Sequence, residues 1–331
     1  MRSYSYINTK TNIPNFETTT HISQPFGYGY ETDTHFVHFF GKESFYIISV
    51  GLTVTEAKTG TFFDWIKKRF GATDIQEMNL EVGHSIEGIW RPSLFFQDDI
   101  QQALNVDPAE QRNQEQALRI LVEKLDEILL FIEPSENGLN SYSHKIRELL
   151  ILACTEAENQ FRSLLIKTGY TSPNGANLTT QDYVKLLPLT FLDEYQVGLR
   201  NIDSFAPCKP FLGWEITQPT QSLAWYYSYN LTKHNRSEHF SEATLQHAID
   251  AVAANIILYC TRFSPFILIN DTNTLSALIQ QIFDIKMIDS NRKSFYIPKI
   301  TVPESFPTGC TLFDSYRYKF NEAWTIDSLK V

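Results

Sequence analysis

DPAEQRNQEQALRILVEKLDEILLFIEPSENG, residues 107–138, and the run beyond it to Gly169 decide how this chain folds. Asp107 stands before Pro108 and three residues before Glu110. That is a capping-box-like start: an N-cap carboxylate, proline where a helical N–H would be unpaired anyway, and glutamate in the first turn. Ala117, Leu121, Leu125, Ile128 and Ile132 then recur at helical spacing. Pro134 restricts the residue before it and stops the helix, leaving 134–138 as connector. A second helix is expected from about Ser141 to Lys167, with Ile146, Leu150, Ala153, Cys154, Ala157, Phe161 and Leu164 as its apolar face and Gly169 as its end. Two long helices joined by so short a loop should pack antiparallel.

Outward from this pair the signals change. Residues 1–105 read as β-rich. Thr34–Phe40 and Ser44–Val50, separated by Gly41-Lys-Glu, read as a hairpin, and Phe62–Phe70 as a short amphipathic helix ended by Gly71. Gly27-Tyr-Gly29 reads as a turn. A third bundle helix is expected after Thr179, ending near Pro188; residues 191–218 are expected to be extended or irregular. Thr220 and Ser241 are the expected N-caps of two later helices, the second with Leu245, Ile249, Val252, Ile256 and either Cys260 or Phe263 on its face. A helix over Leu275–Phe283 and strands over 293–298 and 312–320 follow. The expected organisation is α+β: a β-rich segment 1–105, a helical bundle 106–265, and a C-terminal helix plus strands 266–331 that packs with the N-terminal segment.

Composition narrows the class. With 43% hydrophobic and 14% aromatic residues over 331 positions, disorder is excluded and a large core is expected. A net charge of −10 argues against general nucleic-acid binding, which needs a basic stripe, while leaving room for a local basic patch. No apolar run reaches membrane-span length, and Met-Arg-Ser-Tyr-Ser-Tyr-Ile-Asn lacks a signal-peptide core, so a cytoplasmic protein without membrane contact is expected. The four cysteines, with no Cys-x-x-Cys pair, read as reduced thiols.

The chemistry concentrates in Trp225-Tyr-Tyr-Ser-Tyr-Asn-Leu-Thr-Lys-His-Asn-Arg236. Asn230 and His234 are four apart, which puts them on one helix face. Lys233 and Arg236 add two cations. An imidazole can give and take a proton near neutral pH, an amide can orient a phosphate oxygen, and a cation can stabilise a pentacovalent phosphate. Attack of RNA on itself through a 2′-hydroxyl needs only these parts. The competing reading is architectural: His234 satisfied by a carbonyl, Asn230 bridging helices, the cations in solvent. Tyr226, Tyr227 and Tyr229 could stack on an unpaired base or serve as core. Glu158 could orient His234 across the bundle, or simply edge its helix.

Asn230-Leu-Thr-Lys-His234 resembles the motif of the HEPN (higher eukaryotes and prokaryotes nucleotide-binding) domains, in which an arginine and a polar residue precede a histidine near the start of a late helix. The resemblance covers about Asp107 to Phe263. It implies an up-and-down helical bundle, metal-independent endoribonuclease activity without a cofactor, a homodimer, and a setting in toxin–antitoxin or phage defence with a cognate antitoxin or defence-system partner. Tyr229 stands where the family has its arginine; Arg236 could supply the missing charge. The other function the resemblance allows is a non-catalytic dimerisation or binding module.

Other patterns are weaker. His35 and His38 are three apart in a strand and face opposite ways. His234, His239 and His247 lack a companion set at ligand spacing, so no metal is expected. Walker, Gly-x-Gly-x-x-Gly and Gly-x-Ser-x-Gly sequences are absent.

Overall fold

The computed structural model describes residues 1–173, 177–202 and 205–331. In chain order the strands are β1 Ser3–Ile7, β2 Phe26–Glu31, β3 His35–Gly41, β4 Ile48–Ala57, β5 Thr73–Glu77, β6 His84–Ile86, β7 Tyr195–Leu199, β8 Phe283–Met287, β9 Thr311–Phe313 and β10 Thr325–Asp327. Helices of nine residues or more are α1 Phe62–Phe70, α2 Pro108–Leu129, α3 His144–Lys167, α4 Ala224–His234, α5 Leu245–Phe263 and α6 Thr274–Ile282. The fold is mixed α+β, and the chain divides into two compact units: residues 1–87, 91–105 and 290–327, and residues 88–90, 106–289 and 328–331.

The first unit is built on an antiparallel sheet in the order β5-β1-β2-β3-β4-β9. The C-terminal strand enters it: Thr53 pairs with Phe313 and Thr55 with Thr311. Alternation along β3 sends Phe36 and Phe40 toward α1, among Tyr6, Val54, Trp65, Ile66 and Phe70. It sends Val37 and Phe39 to the other face, under Phe295, Ile297 and Ile300. His38 falls on the α1 side, its ring 3.6 Å from that of Phe70 and its Nδ1 2.7 Å from the Tyr6 hydroxyl. Helix α1 forms as its sequence dictates: Thr61 accepts from the Asp64 N–H, and Gly71 ends the helix at φ 60°.

Four expectations for this unit are corrected. Gly27 and Gly29 lie inside β2, not in a turn; the Tyr6 ring covers this stretch so closely that a Cβ on Gly27 would sit 2.2 Å from it. The hairpin's second strand begins at Ile48, because Ser44 accepts from the Tyr46 N–H and tightens the connection into a longer turn. Residues 293–298 form no strand. They lie on the sheet face with Phe295, Tyr296 and Ile297 buried, and their backbone bonds singly to Asn79, Gly83 and Pro92. The last strand stops at Phe313, where Asp314 accepts from the Tyr316 and Arg317 N–H groups and turns the chain.

The second unit is helical. Asp107 caps α2 by accepting from the Ala109 and Glu110 N–H groups, and Ser143 caps α3 by accepting from Ile146. Helices α2 and α3 run antiparallel, since Glu110 meets Ser163 and Lys167 while Lys124 meets Glu148 and Glu127 meets Lys145. Helix α4 opposes α3, with Tyr226 on Glu158 and Arg147 on Thr232. Helix α5 opposes α2, with Tyr259 on Glu115 and Arg262 on Glu110. The four helices therefore alternate up and down. Helix α5 is buried along nearly its whole length, and its Asn255 donates to the Ala153 carbonyl and accepts from Gln160, both on α3.

Here too the sequence misleads locally. Helix α4 begins at Ala224 without a side-chain cap; Thr220 instead shares a hydrogen bond of 2.6 Å with Thr180. Thr244, not Ser241, caps α5. Pro188 sits in the first turn of a further helical turn, Leu187–Thr190, which ends at Phe191 with φ 53°. Within the stretch expected to be extended or irregular, β7 is an extended strand that pairs with β8, while Asp203 and Ser204 lie outside the described residues.

Candidate functional site

Helix α4 supplies the site. Its N-terminal half is anchored by burial: Trp225 donates to the Pro210 carbonyl, and the Tyr226 hydroxyl donates to Glu158 on α3. Burial and then the neighbouring Glu158 push the Tyr226 phenol far above the usual tyrosine range. Tyr229 is fully buried. Apolar and aromatic residues thus hold the first two turns, and the last turn carries Asn230, Lys233 and His234 outward.

Each candidate has a distinct environment. The Asn230 Nδ2 donates to the Tyr226 carbonyl one turn back at 3.2 Å, so one of its two amide N–H groups is spent on its own helix. The Lys233 Nζ donates to the Tyr229 hydroxyl at 2.6 Å and lies 4.8 Å from its ring centre. The bond to Tyr229 raises the Lys233 pKa above its ordinary value against the opposing effect of burial, and the charge of Glu158 adds to the rise. His234 is the exposed last residue of α4, and its imidazole makes no hydrogen bond among the described residues. Asn235 breaks the helix with φ −138° and ψ 75°, and Arg236 follows, exposed, 5.8 Å from the Phe240 ring.

Glu158 does not orient His234; it receives the Tyr226 hydroxyl. The tyrosine before it on the helix surface claims the carboxylate first, because it lies two turns deeper in the bundle.

Two basic residues missed at the sequence level come to the same end of the bundle. Arg147 of α3 donates from Nη2 to the Thr232 carbonyl at 2.9 Å, and that is its one hydrogen bond among the described residues. The cation therefore sits against the C-terminal turn of α4, where unpaired carbonyls favour positive charge. His144, the first residue of α3, packs 4.7 Å from the Phe240 ring that also meets Arg236. The start of α5 belongs to this end as well, since Leu245 donates to the Ser141 carbonyl and His247 Nδ1 lies 2.8 Å from the Glu242 carbonyl. The antiparallel pairing of α3 with α4 is the signal that could have found Arg147: it sets the first turn of one helix beside the last turn of the other.

This end of the bundle gathers His144, Arg147, Lys233, His234 and Arg236 on a chain of net charge −10. Two exposed imidazoles, His144 and His234, make no hydrogen bond among the described residues and are free for proton transfer, and Arg147, Lys233 and Arg236 supply positive charge for a phosphate. Among the described residues, no group of three or more His, Cys, Asp and Glu side chains could hold a metal ion. No helix among them is long and apolar enough to cross a membrane.

No family model matches the chain, and no solved structure matches it. It is similar to the tyrosine-protein kinase receptor torso of Drosophila melanogaster, 30% identical over 123 residues, which cover 34% of this chain and 12% of that receptor. The chain thus matches only about an eighth of its relative's length, and this likeness assigns it to no family.

Proposed function

We propose that the helical unit is a HEPN-like endoribonuclease that cleaves single-stranded or loop RNA without a metal. His234 takes the proton from a ribose 2′-hydroxyl or returns one to the departing 5′-oxygen. The 2′-oxygen bonds to phosphorus as the P–O5′ bond breaks, leaving a 2′,3′-cyclic phosphate and a 5′-hydroxyl. Lys233 and Arg236 stabilise the charge that develops on phosphorus-bound oxygens, and Asn230 orients the scissile phosphate with the second N–H of its amide, the first being engaged by the Tyr226 carbonyl. Arg147 is the cation that offsets the loss of the family's arginine at Tyr229. The observation that carries this reading is the exposed, unengaged imidazole of His234 two residues after the Thr232 carbonyl that Arg147 holds, on an up-and-down bundle. We place the protein in the cytoplasm as a homodimer of a defence or toxin–antitoxin system, with a cognate antitoxin or defence protein as partner.

The second reading, a non-catalytic HEPN-like dimerisation or binding module, is favoured by Tyr229. A buried phenol replaces the family's arginine and ties up Lys233. The two readings separate on one assay. Purified protein in chelator should cut a labelled single-stranded RNA, and His234→Ala should slow it by about 100-fold or more, the scale of a lost general acid–base. Equal rates for the two proteins, or no cleavage by either, would remove the nuclease and leave the binding module.

A further inference from the structure

A cleft in the sheet unit stands apart from the nuclease reading. Strands β3 and β4 pair in register from His35–Ala57 to Phe39–Thr53, then jump: Phe40 pairs with Ser49. Val50, Gly51 and Leu52 are left out of that ladder as a three-residue bulge. The bulge is held open from outside, because the Val50 carbonyl accepts from the Thr53 hydroxyl at 2.7 Å and from the Ser315 N–H at 3.0 Å. Bulges of this kind re-aim a strand and recur beside functional sites. This one forms the wall of a cleft of about 400 Å³, within the size range of small-molecule sites.

The lining is chemically specific. Asp314 is fixed: its Oδ1 accepts from two backbone N–H groups, at 3.0 Å from Tyr316 and 2.9 Å from Arg317. Its Oδ2 has no hydrogen-bond partner among the described residues. Gly51 faces it, and a Cβ there would stand 3.7 Å from that oxygen. Aromatic rings continue the wall, with Phe96 stacked on Tyr316 at 3.7 Å, Phe95 4.4 Å from Phe96, and Tyr46 5.8 Å from Phe95. Lys42 also lines the cleft, and its ammonium pairs with no carboxylate among the described residues. Asp99 and Asp98 lie near Tyr316 and raise its phenol pKa after the larger effect of burial, so the charge on that side of the wall is negative.

We propose that this cleft binds a mononucleotide with an amino-bearing base. The base packs on the Phe95–Tyr46 wall and donates its amino N–H to Asp314 Oδ2, and its phosphate pairs with Lys42. A fixed acceptor, an aromatic surface and a lone cation match those three parts of the ligand.

Isothermal titration of the full chain with AMP, adenosine and inorganic phosphate tests this. AMP should saturate, adenosine should bind about tenfold more weakly for lack of the charge-assisted contact, and phosphate alone should not bind. Lys42→Ala should bring AMP to the adenosine level and leave adenosine unchanged. Asp314→Asn keeps the turn-capping oxygen and should weaken both ligands. Gly51→Leu, at an exposed strand position, should block both by filling the cleft while the melting temperature holds. The proposal is overturned if AMP does not saturate at millimolar concentration, or if Gly51→Leu binds AMP as the wild type does. Loss of RNA cleavage by His234→Ala bears on neither result.

Discussion

Glu110 shows how much one side chain can be asked to hold. Burial alone would raise its carboxyl pKa, yet the guanidinium of Arg262 and hydrogen bonds from Lys167, Arg262 and Ser163 bring it down to about 2. Arg262 has almost no exposure, and its Nε and Nη1 lack partners, so Glu110 is the counter-charge on which that buried cation depends. Glu110→Gln should therefore lower stability by about 3–5 kcal/mol, the usual result of leaving a buried charge uncompensated. Urea denaturation checks this, and a loss below about 1 kcal/mol would mean that Arg262 reaches water or another partner. The pair also marks the limit of the sequence at this scale. Glu110 is legible as a first-turn glutamate because that placement is local, although its backbone N–H and not its carboxylate meets Asp107. Its partner 152 residues away is not, and neither is the meeting of Arg147 with Thr232. His234, Lys233 and Arg236 could be picked out because they are neighbours in one helix.

At the scale of elements, what the sequence reveals depends on where the stabilising partner comes from. Helices α1, α2 and α3 carry caps and apolar stripes within their own residues, and each forms where that pattern predicts. Helix α4 has no side-chain cap, so its start could not be read; it is positioned by Trp225, Tyr226 and Tyr229 packed into the unit. Strands β7 and β8 alternate buried and more exposed residues, but each is only five residues long, and the partner that fixes it lies more than eighty residues away. Substitution should separate the two cases. Asp107→Ala removes the acceptor of two N–H groups and should cost α2 about 1 kcal/mol. Thr220→Ala should leave amide protection in α4 unchanged, since its hydroxyl serves Thr180. Hydrogen exchange resolved by peptide reads both; faster exchange in α4 of the Thr220 variant would contradict the assignment.

Across the whole molecule the two units place their titrating groups differently, and acid should reach them in a fixed order. His38 in the first unit is fully buried between Phe70 and Phe40, and burial holds its pKa well below the ordinary imidazole value of 6.5. The unfolded chain takes a proton there near pH 6.5 while the folded one does not. The stability that neutral His38 allows is thus complete above pH 6.5 and falls with pH below it, by about 1.4 kcal/mol per pH unit until the folded pKa is reached. Glu110 in the second unit has a folded value of about 2 against 4.5 when unfolded, so its contribution is complete above pH 4.5 and is lost between there and about pH 2. Between pH 6.5 and 5, amide protection corrected for intrinsic exchange should therefore decline in β3 and α1 while α2 and α5 hold. The helices should follow only below pH 4.5. His38→Phe keeps a ring against Phe70 and removes the proton site; it lowers stability at every pH, because the Tyr6 hydroxyl loses its hydrogen-bond partner, yet it should flatten the slope between pH 6.5 and 5. A variant whose β3 and α1 amides keep the wild-type slope would show that the acid response of the sheet unit arises elsewhere than at His38.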